Sequence, residues 1–160
     1  MLANIHVKNM ALIKEADISL GKGLNILSGE TGAGKSILLG SIAVALGLQN
    51  FKGFAREDAD YALSELVFVI ENEEQRQALL ELEIPVEDGE VIISRRLSKG
   101  RTTSKINGET VPVSMVRKAG TLLIDIQLIC ISGDLPVKII QKAVHIHQLV
   151  IKCLQIRIVL

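Results

Sequence analysis

The chain has 160 residues, enough for one domain with a real core. Its 18 Lys+Arg balance 18 Asp+Glu, so net charge points to no nucleic-acid partner, although a neutral total can hide a local patch. One Tyr, three Phe and no Trp argue against an aromatic base-stacking platform; Cys130 and Cys153 stand in no metal-ligand spacing; and no run of about 18 apolar residues suggests a membrane span.

In chain order, residues 2–9 alternate, with Ile5 and Val7 expected to face inward and Leu2, Asn4, His6 and Lys8 outward. A second strand is expected over 16–20, a turn at Gly21-Lys22-Gly23, and a short buried strand over 24–28. The next eight residues, Gly29-Glu30-Thr31-Gly32-Ala33-Gly34-Lys35-Ser36, read G-x-x-x-x-G-K-S, the phosphate-binding P-loop pattern. Clustered phosphate oxygens need many donors at close range, and backbone N–H groups at a helix N-terminus supply them. Gly29, Gly32 and Gly34 allow the tight turn and close approach. Lys35 can reach the β- and γ-phosphates, and the Ser36 hydroxyl can ligate Mg²⁺. The helix that follows carries Leu38, Ile42 and Leu46 at i, i+4, i+8, and Gly47 is its natural stop. Strand, glycine loop and helix thus come in the order the pattern requires.

Residues 48–60 are polar and read as a loop; 62–70 read as a strand with Ser64, Leu66, Phe68 and Ile70 on one side. Asn72 is a natural N-cap for a helix over 73–83, ended by Ile84-Pro85. Strands follow over 91–97 and 102–106, separated by the turn Ser98-Lys99-Gly100-Arg101, and Asn107-Gly108 signals a second tight turn. A short helix is expected over 114–119, stopped by Gly120, and a buried strand over 122–126. Arg95, Arg96, Lys99, Arg101 and Lys105 form a local basic cluster, open to two readings: a solvated hairpin face, or contact with nucleotide or DNA phosphates.

The segments GLNILSGETGAGKSILL, ISRRLSKGRTTSKINGETVPVSMV and LLIDI, with the opening IHVKNMALIKEADISL, resemble the N-terminal head segment of the RecN family of bacterial DNA repair proteins, relatives of the SMC and RecF-type ABC ATPases. The resemblance runs over residues 1–126, and GETGAGKS matches the family's P-loop at each of positions 29–36. It implies an α/β P-loop NTPase fold, the first lobe of an ABC-type ATPase head, with an antiparallel flap and a mixed sheet on which the P-loop helix packs. It also implies ATP and Mg²⁺ as cofactors, at the backbone of residues 29–34 and at Lys35 and Ser36. The implied role is recombinational repair of DNA double-strand breaks. The implied partners are DNA ends or single-stranded regions and a second head, as a homodimer, in the cytoplasm at the nucleoid. The family's Walker B, signature and switch-His motifs and its coiled coil have no counterpart in these residues, so hydrolysis by this segment alone is not expected.

From residue 127 the composition changes: Asp134 is the one acidic residue of this tail, and both Cys and two of the three His fall in it. The expectation is a head segment over 1–126 and a divergent apolar tail over 127–160, either a frameshift product or the apolar helix of a genuine short protein. His145 and His147 lie on different faces of a helix and lack a third ligand, so a metal pair is not expected. Gln127 lacks the flanks of a Q-loop. Two other function classes stay open: a small P-loop phosphotransferase, and a non-enzymatic DNA-binding fragment using the 95–105 hairpin.

Overall fold

The computed structural model describes residues 1–23, 25–28, 32–124, 137–139 and 154–157. In chain order the elements are β1 (Leu2–Met10), β2 (Ile13–Ser19), β3 (Asn25–Ser28), α1 (Gly32–Ala45), β4 (Tyr61–Val69), α2 (Glu73–Glu81), β5 (Glu90–Ser98), β6 (Arg101–Ile106), β7 (Glu109–Thr110), α3 (Val113–Leu123), β8 (Val137–Ile139) and β9 (Leu154–Arg157). Six strands form one sheet in the order β2-β1-β4-β5-β6-β7, with every neighbouring pair antiparallel. The P-loop strand β3 stands in a second, mixed sheet, antiparallel to β8 and parallel to β9.

One face of the six-stranded sheet carries the core. Ile5 and Val7 of β1, Leu66 and Phe68 of β4 and Val91 and Ile93 of β5 are fully buried. Their period of two puts them on one side of the pleat, and α1 packs there through Leu38, Ile42 and Leu46. The simple alternation expected of β1 fails at both ends. The register shifts between Leu2 and Asn4 in the pairing with β4, a bulge that turns Leu2 into the core instead of outward. Asn9 adopts a left-handed φ of 55°, and Met10 after it is buried too.

The turns follow their sequence signals. Lys99-Gly100 (φ 49° and 73°) joins β5 to β6, and Asn107-Gly108 (φ 48° and 82°) joins β6 to β7. Both are two-residue hairpins with positive φ at each central residue, matching the right-handed twist of the strands. The Asn107 Oδ1 also accepts from the Ile92 N–H at 2.8 Å, and its Nδ2 donates to the Pro85 carbonyl at 2.7 Å.

Three helix boundaries differ from expectation. The helix α1 starts at Gly32, inside the P-loop signature, five residues before the apolar run that announces it. The helix α2 ends at Glu81, ahead of Pro85. Glu83 sits at φ 60°, its N–H donates to the Leu80 carbonyl and that of Ile84 to the Leu79 carbonyl, while the Ile84 side chain is buried. This is a Schellman cap with Glu in the place usually held by Gly, and proline commonly follows such a cap. The third difference is a correction. Gly120 does not stop a helix, and 122–126 is not a buried strand: α3 continues through Leu123, with Ile124 extended after it and 125–126 outside the described residues. Val116, Ala119, Gly120 and Leu123 are its buried stripe at i, i+3, i+4, i+7. Gly120 packs closely against the end of α1, where a Cβ would stand 3.2 Å from the Leu46 Cδ2.

The strands β8 and β9 fall within the 127–160 tail and are extended, not helical. Cys130, Cys153, His145, His147 and Gln127 lie outside the described residues. Among the described residues no helix is long and apolar enough to cross a membrane.

The start of α2 yields a first test. Asn72 Oδ1 accepts from the N–H groups of Glu74 at 2.7 Å and Gln75 at 3.3 Å. Asn72→Ala is expected to lower the unfolding free energy by about 1 kcal/mol in urea titration.

Candidate functional site

The P-loop signature falls at the junction between β3, which ends at Ser28, and α1, which begins at Gly32. Gly29, Glu30 and Thr31 lie outside the described residues. Gly32, Ala33, Gly34, Lys35 and Ser36 form the first turn of α1 and the start of the next. The first peptide N–H groups of a helix have no carbonyl partner within it, and the helix dipole makes that end positive. No acidic residue occupies the first turn of α1 to compete for those donors. At Gly34 a built Cβ meets nothing within 4 Å, so the backbone there borders open space. Ser36 is exposed. This donor set fits the phosphates of a nucleotide. The turn before β3 is closed by the buried Asn25, whose Oδ1 accepts from the Gly21 N–H at 3.0 Å and whose Nδ2 donates to the Gly21 carbonyl at 2.9 Å.

The other end of α1 carries a second constellation. The Gly47 N–H donates to the Val44 carbonyl and the Leu48 N–H to the Ala43 carbonyl, a Schellman cap with Gly47 at φ 72°. The helix has no basic residue in its own last turn. Two arginines from other elements stand there instead. Arg95 of β5 is buried and donates through Nη1 to the carbonyls of Val44 at 2.6 Å and Gln49 at 2.9 Å, and through Nε to the Ser104 Oγ at 3.1 Å. Arg117 of α3 donates through Nε to the Gly47 carbonyl at 2.7 Å. Burial, and then the neighbouring Arg117 cation, hold the Arg95 guanidinium below the usual arginine range. It stays charged, because arginine does not lose its proton in proteins. The negative end of the α1 dipole and the Phe51 ring, 6.0 Å from the guanidinium carbon, face it.

The basic cluster expected over 95–105 therefore divides, and Arg95 is removed from it. Successive residues of β5 point to opposite faces, so Arg95 turns inward with Val91 and Ile93 while Arg96 turns outward. That alternation was the available signal for a buried Arg95. Arg117 had none, because its role depends on where α3 packs. Arg96 stacks on Tyr61 with its guanidinium carbon 4.1 Å from the ring centre. Arg96, Ser98, Lys99, Arg101 and Thr103 line an open depression of about 480 Å³. None of these three cations has a carboxylate within ion-pair distance among the described residues, whereas Arg56 forks onto Asp58 at 2.7 and 2.9 Å. No cluster of three metal-ligating side chains occurs among the described residues.

A family model described as an AAA domain matches residues 4–143. The chain belongs to that family. Within the AAA domain family it is a RecN-like segment. It is 35% identical over 128 residues to the DNA repair protein RecN of Bacillus subtilis (strain 168), covering 79% of this chain and 22% of that protein. It is 34% identical over 127 residues to the RecN of Vibrio cholerae, with 79% and 23% covered. The chain thus spans less than a quarter of the length of these curated relatives. Two solved structures share its fold. One, from work on ATP-driven dimerization and DNA-stimulated activation of SMC ATPases, superposes with a TM-score of 0.59 at 21% identity over 76% of this chain and 78% of that one. The other, the recombination mediator protein RecF with an ATP analogue, gives 0.54 at 20% identity over 72% and 29%. The segment accordingly shares the fold of these SMC and RecF structures, with its P-loop helix on an antiparallel sheet.

Gly47 tests the end of α1. A Cβ there would stand 2.7 Å from the Val113 Cγ2, and the positive φ strains any L side chain. Gly47→Ala is expected to destabilise the domain by about 1–3 kcal/mol, read as a lower urea midpoint.

Proposed function

We propose that this segment binds ATP with Mg²⁺ at residues 29–36, as the first lobe of a RecN-like head acting in recombinational repair of DNA double-strand breaks. What supports the reading is the G-x-x-x-x-G-K-S sequence over 29–36, with β3 ending at Ser28 before it and α1 opening on Gly32 within it. The backbone N–H groups of the first turn would hold the phosphates, Lys35 would offset charge at the β- and γ-phosphates, and Ser36 would ligate the metal. The bound Mg²⁺ would neutralise phosphate charge. Binding rather than turnover is the expected activity, since no residue here is assigned to position an attacking water. A second copy of the head is the proposed partner for nucleotide-dependent engagement, in line with the ATP-driven dimerization of the SMC relatives. The proposed setting is the cytoplasm, at the nucleoid.

DNA is the proposed macromolecular partner, and the outward cations Arg96, Lys99 and Arg101, which have no carboxylate partner among the described residues, support it. We also propose residues 1–126 as the head segment and 127–160 as a divergent tail, which the composition change after 126 supports. Sequencing the coding DNA across codon 127 tests that boundary: a second reading frame continuing the family pattern would mark the tail as frameshifted, and its absence would leave the tail as a feature of the protein.

Lys35→Ala is expected to abolish binding in a fluorescent-ATP titration with Mg²⁺. Wild-type affinity in that variant would overturn the nucleotide assignment. Replacing Arg96, Lys99 and Arg101 with Ala is expected to weaken binding to DNA ends. The slope of log K against log salt should flatten by about one unit for each phosphate that is no longer neutralised. An unchanged slope would remove the hairpin from the DNA site.

A further inference from the structure

We infer that Arg95 is a positioning residue for the nucleotide site: by holding the carbonyls at the C-terminal end of α1 to the sheet, it sets where the phosphate-binding end of that helix stands. The inference rests on the nucleotide reading above. Among the described residues, ties from Ser64, Arg95 and Arg117 fasten the C-terminal half of α1 and its cap. Ser64 Oγ of β4 donates to the Ser41 carbonyl at 2.8 Å, Arg95 of β5 to Val44 and Gln49, and Arg117 of α3 to Gly47. All three act on carbonyls in the C-terminal half of the helix or just beyond it. A helix of 14 residues is about 21 Å long. A tilt of about 5° about a loosened C-terminal end then displaces the N-terminus by about 2 Å, whereas a binding constellation tolerates about 0.5 Å. Small changes at Arg95 are therefore amplified at Gly32 to Ser36.

The chemistry of Arg95 favours positioning over simple core filling. Burying a guanidinium without a carboxylate partner is costly, and an apolar residue between Ile93 and Leu97 would fill the space without that cost. What the guanidinium adds is a planar, rigid fork that reaches two carbonyls through Nη1 and the Ser104 hydroxyl through Nε. A lysine at the same place has the charge but not the fork. The strand also links two surfaces. Arg95 and Arg96 are neighbours on β5, one against the end of α1 and the other in the outer basic depression.

The test compares nucleotide affinity in the full chain for wild type, Arg95→Lys, Arg95→Met and a destabilised control outside α1, Leu79→Ala at the buried position of α2. All are measured at a temperature where circular dichroism shows them folded. Both Arg95 variants are expected to weaken the Kd for fluorescent ATP about tenfold or more, while Leu79→Ala binds as wild type despite its lower melting temperature. Should Arg95→Met not fold, Arg95→Lys and Ser104→Ala carry the test, the latter removing only the Nε partner and expected to weaken binding about twofold to threefold. Wild-type affinity in folded Arg95 variants, or an equal loss in Leu79→Ala, would overturn the positioning role while leaving the nucleotide reading intact. A wild-type chain that binds no better than Lys35→Ala would overturn both.

Discussion

The seating of α1 on the antiparallel sheet is the constraint on which the rest depends. The helix is apolar on most of its surface and has no acidic residue in its first turn and no basic residue in its last. Its orientation therefore comes from its surroundings. Leu38, Ile42 and Leu46 press into the buried face of β1, β4 and β5, and buried apolar area of that kind supplies the bulk of the attraction without fixing direction. Hydrogen bonds at its C-terminal end contribute direction. Ser64, Arg95 and Arg117 each give a donor to a carbonyl in the C-terminal half of the helix or just beyond it. The opposite end carries the peptide N–H donors proposed above to meet a phosphate.

The two ends of α1 thus divide the electrostatics of the lobe. Cations from distant segments gather at the negative end of the dipole, and a phosphate is the matching charge at the positive end. An anion at the positive end would stabilise the same helix. The outward side of β5 and β6 adds a third charged region, where Arg96, Lys99 and Arg101 lie without carboxylate partners among the described residues. Because β5 sends Arg95 inward and Arg96 outward, the two charged surfaces are joined by a single strand. This also explains why a segment with balanced charge can present a basic surface: acidic residues such as Glu15 and Asp58 are engaged elsewhere, with Lys8 and Arg56.

Local chemistry makes several features legible from the residues alone. The hairpins at Lys99-Gly100 and Asn107-Gly108, the Asn72 cap and the Gly47 stop each need a residue type that few others can replace, so each is visible as a short pattern. The departures share a cause. Gly120 looks like a helix stop when only its own flexibility is considered, but it lies in the buried stripe of α3, close to Leu46 after α1. Leu2 looks outward by alternation, but a bulge in the pairing with β4 turns it in. Pro85 looks like the end of α2, but the left-handed Glu83 closes that helix first.

By itself, the sequence determined the phosphate-binding signature, the order of strand, loop and helix around it, and the resemblance that the RecN relatives bear out. These depend on contiguous residues, whose geometry follows from backbone and side-chain chemistry within one turn or hairpin. Only the tertiary structure decided that the P-loop strand leaves the antiparallel sheet for a second one, that α3 runs through Gly120, and that Arg95 and Arg117 meet at the end of α1. Those facts pair residues about 50 to 130 positions apart. A strand's alternation says which side chains share a face, but not which helix will cover that face. That is settled when apolar surfaces are buried together and each buried polar group finds its partner.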